Sequence, residues 1–166
     1  MKKYLTLLLV FPSVASAFCF DEAGQRYNVD PDLLKAIAMQ ESSLNPNATN
    51  INRNQYGEIV SRDYGLMQIN SEWFPKLAKF EVNELTVMEP CFNVNLGAWV
   101  LSSNFSTHGY NWNSVGAYNA GFIESSQAAR DRYIIEIKNN YQQIKASNNQ
   151  SNQDRNRVCI RRSLID

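Results

Sequence analysis

A surplus of basic charge is the first thing this chain lacks. Sixteen Lys and Arg balance sixteen Asp and Glu over 166 residues, and without Lys2 and Lys3 the balance turns acidic. Nothing is left over to neutralise a phosphate backbone, so nucleic acid is excluded as a partner. Long apolar runs are missing as well. Leu5 to Phe11 falls far short of the roughly 20 residues that span a bilayer, and no membrane span is expected. Histidine is almost absent: the single His108 has no Cys, Asp or Glu at ligand spacing, so no metal and no cofactor is expected. Cysteine is limited to Cys19, Cys91 and Cys159, which leaves one of them unpaired or intermolecular.

What is present begins with a leader. Lys2 and Lys3 precede the apolar run, and Ala15-Ser16-Ala17 offers small residues for cleavage near Ala17. Phe18 before Cys19 lacks the small residue that a lipoprotein signal wants. Residues 1–17 therefore read as a signal peptide, and the mature chain as periplasmic or secreted. Export permits a disulfide. Cys19–Cys91 is the expected pair, because Cys159 lies in a polar tail. Residues 18–145 form one domain and residues 146–166 a polar, basic C-terminal tail. From Ala146 to Asn156 the chain is mostly Asn, Gln and Ser, which cannot bury a core. The tail is expected to be solvated and disordered. The alternative is a docking peptide anchored by Val158, Cys159 and Ile160 among Arg155, Arg157, Arg161 and Arg162.

Within the domain the pattern is mainly α, with a small irregular or β excursion. Short helices are expected over residues 19–27, 31–46, around Trp73–Leu77, 90–105, 115–119 and from Ser125/Ser126 onward. Ser71 and Ser114 are the expected caps of two of these. Residues 47–63, broken by Asn47, Asn50, Asn52, Asn54 and Gly57, read as a loop with a hairpin around Asn54–Gly57.

The helix from Asp30 to Pro46 carries an anomaly. Asp30 is a good N-cap and Pro31 suits the first turn, while Asn45-Pro46 closes the segment. Leu34, Ile37/Ala38 and Glu41 share one face. The buried stripe thus ends in a carboxylate. From the helix alone, Glu41 is either a boundary residue escaping to water or a general acid raised by partial burial.

Two further segments bear on that choice: Gly65-Leu66-Met67-Gln68-Ile69-Asn70 and Ala117-Tyr118-Asn119-Ala120-Gly121. Together with Glu41-Ser42-Ser43-Leu44-Asn45-Pro46, in this order and spacing, they resemble the lysozyme-like lytic transglycosylases that cut bacterial peptidoglycan. The resemblance runs from about Ala23 to Tyr141, and Pro90-Cys91-Phe92-Asn93-Val94-Asn95-Leu96-Gly97-Ala98-Trp99 is similar to the small secretion- and conjugation-associated branch. It implies an α+β lysozyme-like fold, with Glu41 as the single catalytic acid/base. It also implies that Ser42, Met67, Gln68, Tyr118 and Asn119 line the sugar site, and that Tyr133 approaches the catalytic carboxylate.

The chemistry implied is cleavage between N-acetylmuramic acid and N-acetylglucosamine, leaving a 1,6-anhydro end. Most glycosidases need two carboxylates, whereas here the nucleophile belongs to the substrate. The partners implied are glycan strands and, through the tail, a secretion, conjugation or pilus machine. Two other readings stand beside this one: a muramidase that uses water, and a wall-binding assembly factor whose catalysis is dispensable. Asp63 matters for the muramidase, and the expectation is that it is a loop or capping residue.

Overall fold

The computed structural model describes residues 18–163. The expected leader, residues 1–17, lies outside them. The first helix, α1 (Phe20–Tyr27), ends at Asn28 in a left-handed conformation. Helix α2 (Pro31–Ser42) starts as its residues dictate: the Asp30 side chain accepts from the Asp32 amide at 2.8 Å, and Pro31 opens the first turn. A cap of this kind contributes about 1 kcal/mol.

The other end of α2 differs from expectation. The helix stops before Asn45-Pro46, because Ser43 and Leu44 turn the chain at φ 54° and 62°. Neither residue is the glycine that would announce such a terminator. The consequence is functional, since Glu41 falls in the last turn, at the edge of the core rather than inside it.

The segment expected as a loop with a hairpin supplies β1 (Thr49–Arg53) and most of β2 (Ile59–Tyr64), and β3 (Ile69–Asn70), beyond it, completes a three-stranded antiparallel sheet in that order. The hairpin turn is where the residues place it: Asn54 accepts from the amides of Tyr56 and Glu58, and Gly57 takes φ 82°. The register sets Asn50 opposite Asp63, Asn52 opposite Ser61, and Asp63 opposite Asn70. Asparagine is a poor strand former. This is why the pattern hides the strands.

Helix α3 (Phe74–Leu77) follows a 3-10 turn capped by Asn70, not by Ser71. Helix α4 (Pro90–His108) is capped by the Glu89 carboxylate. Helix α5 (Trp112–Ala120) is capped by Asn111, not by Ser114, whose hydroxyl donates to the Gly109 carbonyl. The disulfide Cys19–Cys91, with Cα atoms 5.2 Å apart, ties the chain before α1 to the first turn of α4. A cross-link over so long a loop contributes roughly 4 kcal/mol in the chain-entropy account.

The core joins Leu33, Leu34, Ile37 and Ala38 of α2 to Val94, Ala98 and Leu101 of α4 and to Tyr133, Ile137 and Ile144 of the last helix, with Leu66, Met67 and Ile69 from the sheet side. That last helix, α6 (Gln127–Ser163), corrects the expectation of a disordered tail. Tyr141 and Lys145 meet Asp30, and Asn148 donates to Asp32, so the packed part already passes residue 146. No Gly or Pro interrupts Gln127–Ser163. Once a helix is nucleated on a core, propagation adds one backbone bond for each residue fixed, and the polar residues need no core of their own. Among the described residues no helix is long and apolar enough to cross a membrane.

Candidate active site

A cleft of about 720 Å³ opens between the sheet and the ends of α2 and α5. Glu41, Gln68, Tyr118 and Asn119 line it, as do Asn50, Asn52, Ser61, Asp63 and Asn70 from the three strands. Strand alternation explains the second group: Asn50 and Asn52 point one way, and the register sets Asp63 and Ser61 beside them. A second depression, about 570 Å³, lies against the disulfide and shares no residue with the cleft. Its carboxylates are Glu22, which is exposed, and Glu89, which caps α4.

Glu41 is half-buried. Burial pushes its carboxyl up from 4.5 to about 7; the Tyr133 hydroxyl opposes this and the charge of Asp63 adds to it. Tyr133 donates to Glu41 Oε1 at 2.5 Å. Oε2 has no hydrogen-bond partner among the described residues, and Glu41 lines the cleft. Burial and the neighbouring Glu41 hold the hydroxyls of Tyr118 and Tyr133 well above the usual tyrosine range. Both therefore stay protonated donors. Tyr118 gives its hydrogen to the Met67 carbonyl at 2.9 Å, which leaves its oxygen an acceptor on the cleft side.

The remaining candidates separate. Gln68 lines the cleft, with its amide nitrogen donating to the carbonyls of Gly65 and Ala48, so its carbonyl oxygen is the free group. Met67 is not on the wall: it is fully buried, and its side chain packs where Gly97 leaves room on α4. Its carbonyl meets the site only through the Tyr118 hydroxyl. Ser42 is not a cleft residue either. Its hydroxyl lies between the carbonyls of Ala38 and Leu66, at 3.1 and 2.8 Å, and fastens the end of α2 to the β2–β3 turn. Tyr133 meets the Glu41 carboxyl, as expected, and is not among the residues that line the cleft. Asp63 is neither a loop nor a capping residue: it stands on β2, facing the cleft. Its Oδ2 accepts from Asn50 and Asn52 at 3.2 and 2.8 Å, and its Oδ1 from Asn70 at 2.8 Å.

A lone raised acid against an amide-lined wall suits a neutral, polyhydroxylated, amide-bearing polymer. The transglycosylase SLT domain matches residues 18–141. The chain belongs to this family. Two relatives are close to this chain in length. Protein IpgF of Shigella flexneri is 38% identical over 154 residues, covering 92% of this chain and 98% of its own. The invasion protein IagB of Salmonella typhimurium is 38% identical over 142 residues, covering 85% and 86%. Lytic transglycosylase Slt of Pseudomonas aeruginosa, solved as an inactive glutamate-to-glutamine mutant, shares the fold over 80% of this chain with a TM-score of 0.52 and 21% identity; the match takes in 22% of the Slt chain. The mainly helical, lysozyme-like fold is as expected, and the SLT-domain protein is of the peptidoglycan lytic transglycosylase class.

Proposed function

We propose that this SLT-domain protein cleaves the β-1,4 bond between N-acetylmuramic acid and N-acetylglucosamine, leaving 1,6-anhydromuramyl ends. The observation that carries the reading is Glu41 itself: half-buried at a helix end, raised to about 7, with Tyr133 on one oxygen and its side chain among those that line the cleft. Protonated Glu41 gives its proton to the glycosidic oxygen as the C1–O bond breaks. Positive charge gathers at C1, and the acetamido group, Asp63 and the carbonyl of Gln68 face it across the cleft. Tyr118 accepts from the acetamido N–H, and Asn119 holds the same sugar. Glu41, now a carboxylate, takes the proton from the muramyl C6 hydroxyl, whose oxygen closes on C1. No water is consumed, and the acid is restored.

Asp63 favours one second reading. A carboxylate on the same cleft as the acid is the arrangement of a hydrolase, and a muramidase would leave reducing ends. Digesting peptidoglycan with the purified protein and weighing the muropeptides decides between them. Anhydro ends are expected, and reducing muramyl ends alone would overturn the proposal.

The chain is proposed to act outside the cytoplasm after loss of residues 1–17, opening the wall locally for a secretion, conjugation or pilus machine. The relative named as an invasion protein supports the setting. The end of α6, carrying the basic tail, is the segment proposed to touch that machine. Deleting residues 149–166 should leave glycan cleavage intact while impairing assembly in cells.

A further inference from the structure

The β2–β3 turn, Gly65–Gln68, holds both sides of the cleft on its backbone. The Leu66 carbonyl accepts from Ser42, next to Glu41, at 2.8 Å, and the Met67 carbonyl accepts from Tyr118 at 2.9 Å. The Gly65 amide donates to Ala48, before β1, at 2.8 Å. The turn is left-handed at both ends, φ 73° at Gly65 and 47° at Gln68. Gln68 lacks the freedom of glycine, so its surroundings must hold it there.

The group that holds the turn is Asn93, wholly buried in α4. Its Oδ1 accepts from the Met67 amide at 2.7 Å, while its Nδ2 donates to the carbonyls of Tyr64 and Val87 at 2.8 and 2.9 Å. The fit is close: a Cβ on Gly65 would lie 2.4 Å from Asn93 Nδ2. An apolar replacement would leave one amide and two carbonyls unpaired in the core.

We propose that Asn93 is a positioning residue for the reaction, setting the height of the Gly65–Gln68 turn and through it the placement of Glu41 and Tyr118. It touches neither Glu41 nor the cleft, and acts through the Leu66 and Met67 carbonyls. The inference rests on the transglycosylase reading for its rate effects. It has a second consequence that does not: a loosened turn admits water to Glu41, whose titratable neighbours are Tyr133 of α6, Asp63 of β2 and Tyr118 of α5.

The test is Asn93→Ser in the full chain, with Ser42→Ala and the double variant beside it. With the fold verified by circular dichroism, kcat on solubilised glycan strands is expected to fall about tenfold with KM within about twofold, as a small misplacement of the acid would produce. The Glu41 titration midpoint, followed by ¹³C NMR, should move down. The losses in the double variant should be less than additive, because both changes act on one turn. Wild-type kcat with an unmoved Glu41 midpoint would overturn the proposal. So would a rate loss that only tracks the unfolded fraction. Should Asn93→Ser fail to fold, Ser42→Ala decides, with the same direction expected and an unchanged midpoint overturning it. If the wild-type protein cleaves nothing, the transglycosylase reading fails, and the NMR midpoints still judge the positioning role.

Discussion

On the helical wall of the cleft, Glu41 sits half-buried with one donor, the Tyr133 hydroxyl. On the sheet wall, Asp63 accepts from three asparagine amides. The first carboxyl is raised to about 7 by burial and by the charge of the second. One wall thus holds a carboxyl that can keep its proton near neutral pH, and the other a carboxylate among neutral donors. The difference comes from the elements beneath them. A helix end on a core buries its side chain beside apolar neighbours, whereas a sheet presents a row of side chains whose amides can converge on one acceptor.

The strongest way to break this asymmetry is Glu41→Gln. Turnover of peptidoglycan should fall by about 10³-fold or more, measured as release of muropeptides, since loss of a general acid accounts for about 10²–10⁴. If such a variant still supports machine assembly in cells, cleavage is dispensable there and the wall-binding reading prevails.

The same substitution has a thermodynamic signature. The raised carboxyl binds its proton more tightly folded than unfolded, so wild-type stability from this group is complete below about pH 4.5 and is lost as pH rises through about 7. Glutamine does not titrate. Relative to wild type, Glu41→Gln should gain up to about 3 kcal/mol above pH 8 and none below pH 4, by urea denaturation.

Asp63→Asn and Tyr133→Phe sharpen the comparison because they push the same group in opposite directions. Removing the charge at Asp63 lowers the Glu41 value, so the alkaline limb of the pH–rate profile should move to lower pH, with about a tenfold loss at pH 7. Removing the Tyr133 hydroxyl takes away the donor that favours the carboxylate. The limb should then move to higher pH, with a loss of only a few-fold. An unmoved limb in both variants would show that burial alone sets the acid.

The smallest effect belongs to the far end of the same helix. Asp30→Ala should cost about 1 kcal/mol at pH 7 and leave the profile of Glu41 unmoved. Burial opposes ionisation of Asp30, but the Tyr141 hydroxyl, the Asp32 amide and Lys145 together hold it below its usual value. Its contribution is therefore present at neutral pH and fades as the solution is acidified through that lowered value.

Much of the helical frame was legible because its signals are local. Asp30-Pro31 starts α2, the Leu34–Ile37–Glu41 face points inward, Pro90 opens α4, and Tyr133, Ile137, Tyr141 and Ile144 recur on α6. The caps at Asn70 and Asn111 were missed by one and three residues, since several neighbouring side chains can cap and packing chooses among them. Met67 and Ser42 were assigned to the sugar site because a motif names positions without saying where a side chain points. Met67 instead fills the space above Gly97, and Ser42 bonds a carbonyl 24 residues away.

The order of the chain alone sufficed for the family, the helical class, the place of Glu41 on α2 and the hairpin turn at Asn54–Gly57. Each depends on residues within a few positions of one another, or on motifs in series. The sheet wall was decided by tertiary structure, and so were the place of Asp63 and the role of Asn93. Which asparagines face the cleft depends on strand register, and a shift of one residue would turn them all to the opposite face. Asn93 matters only because α4 brings a buried amide to a turn that lies 26 residues earlier in the chain.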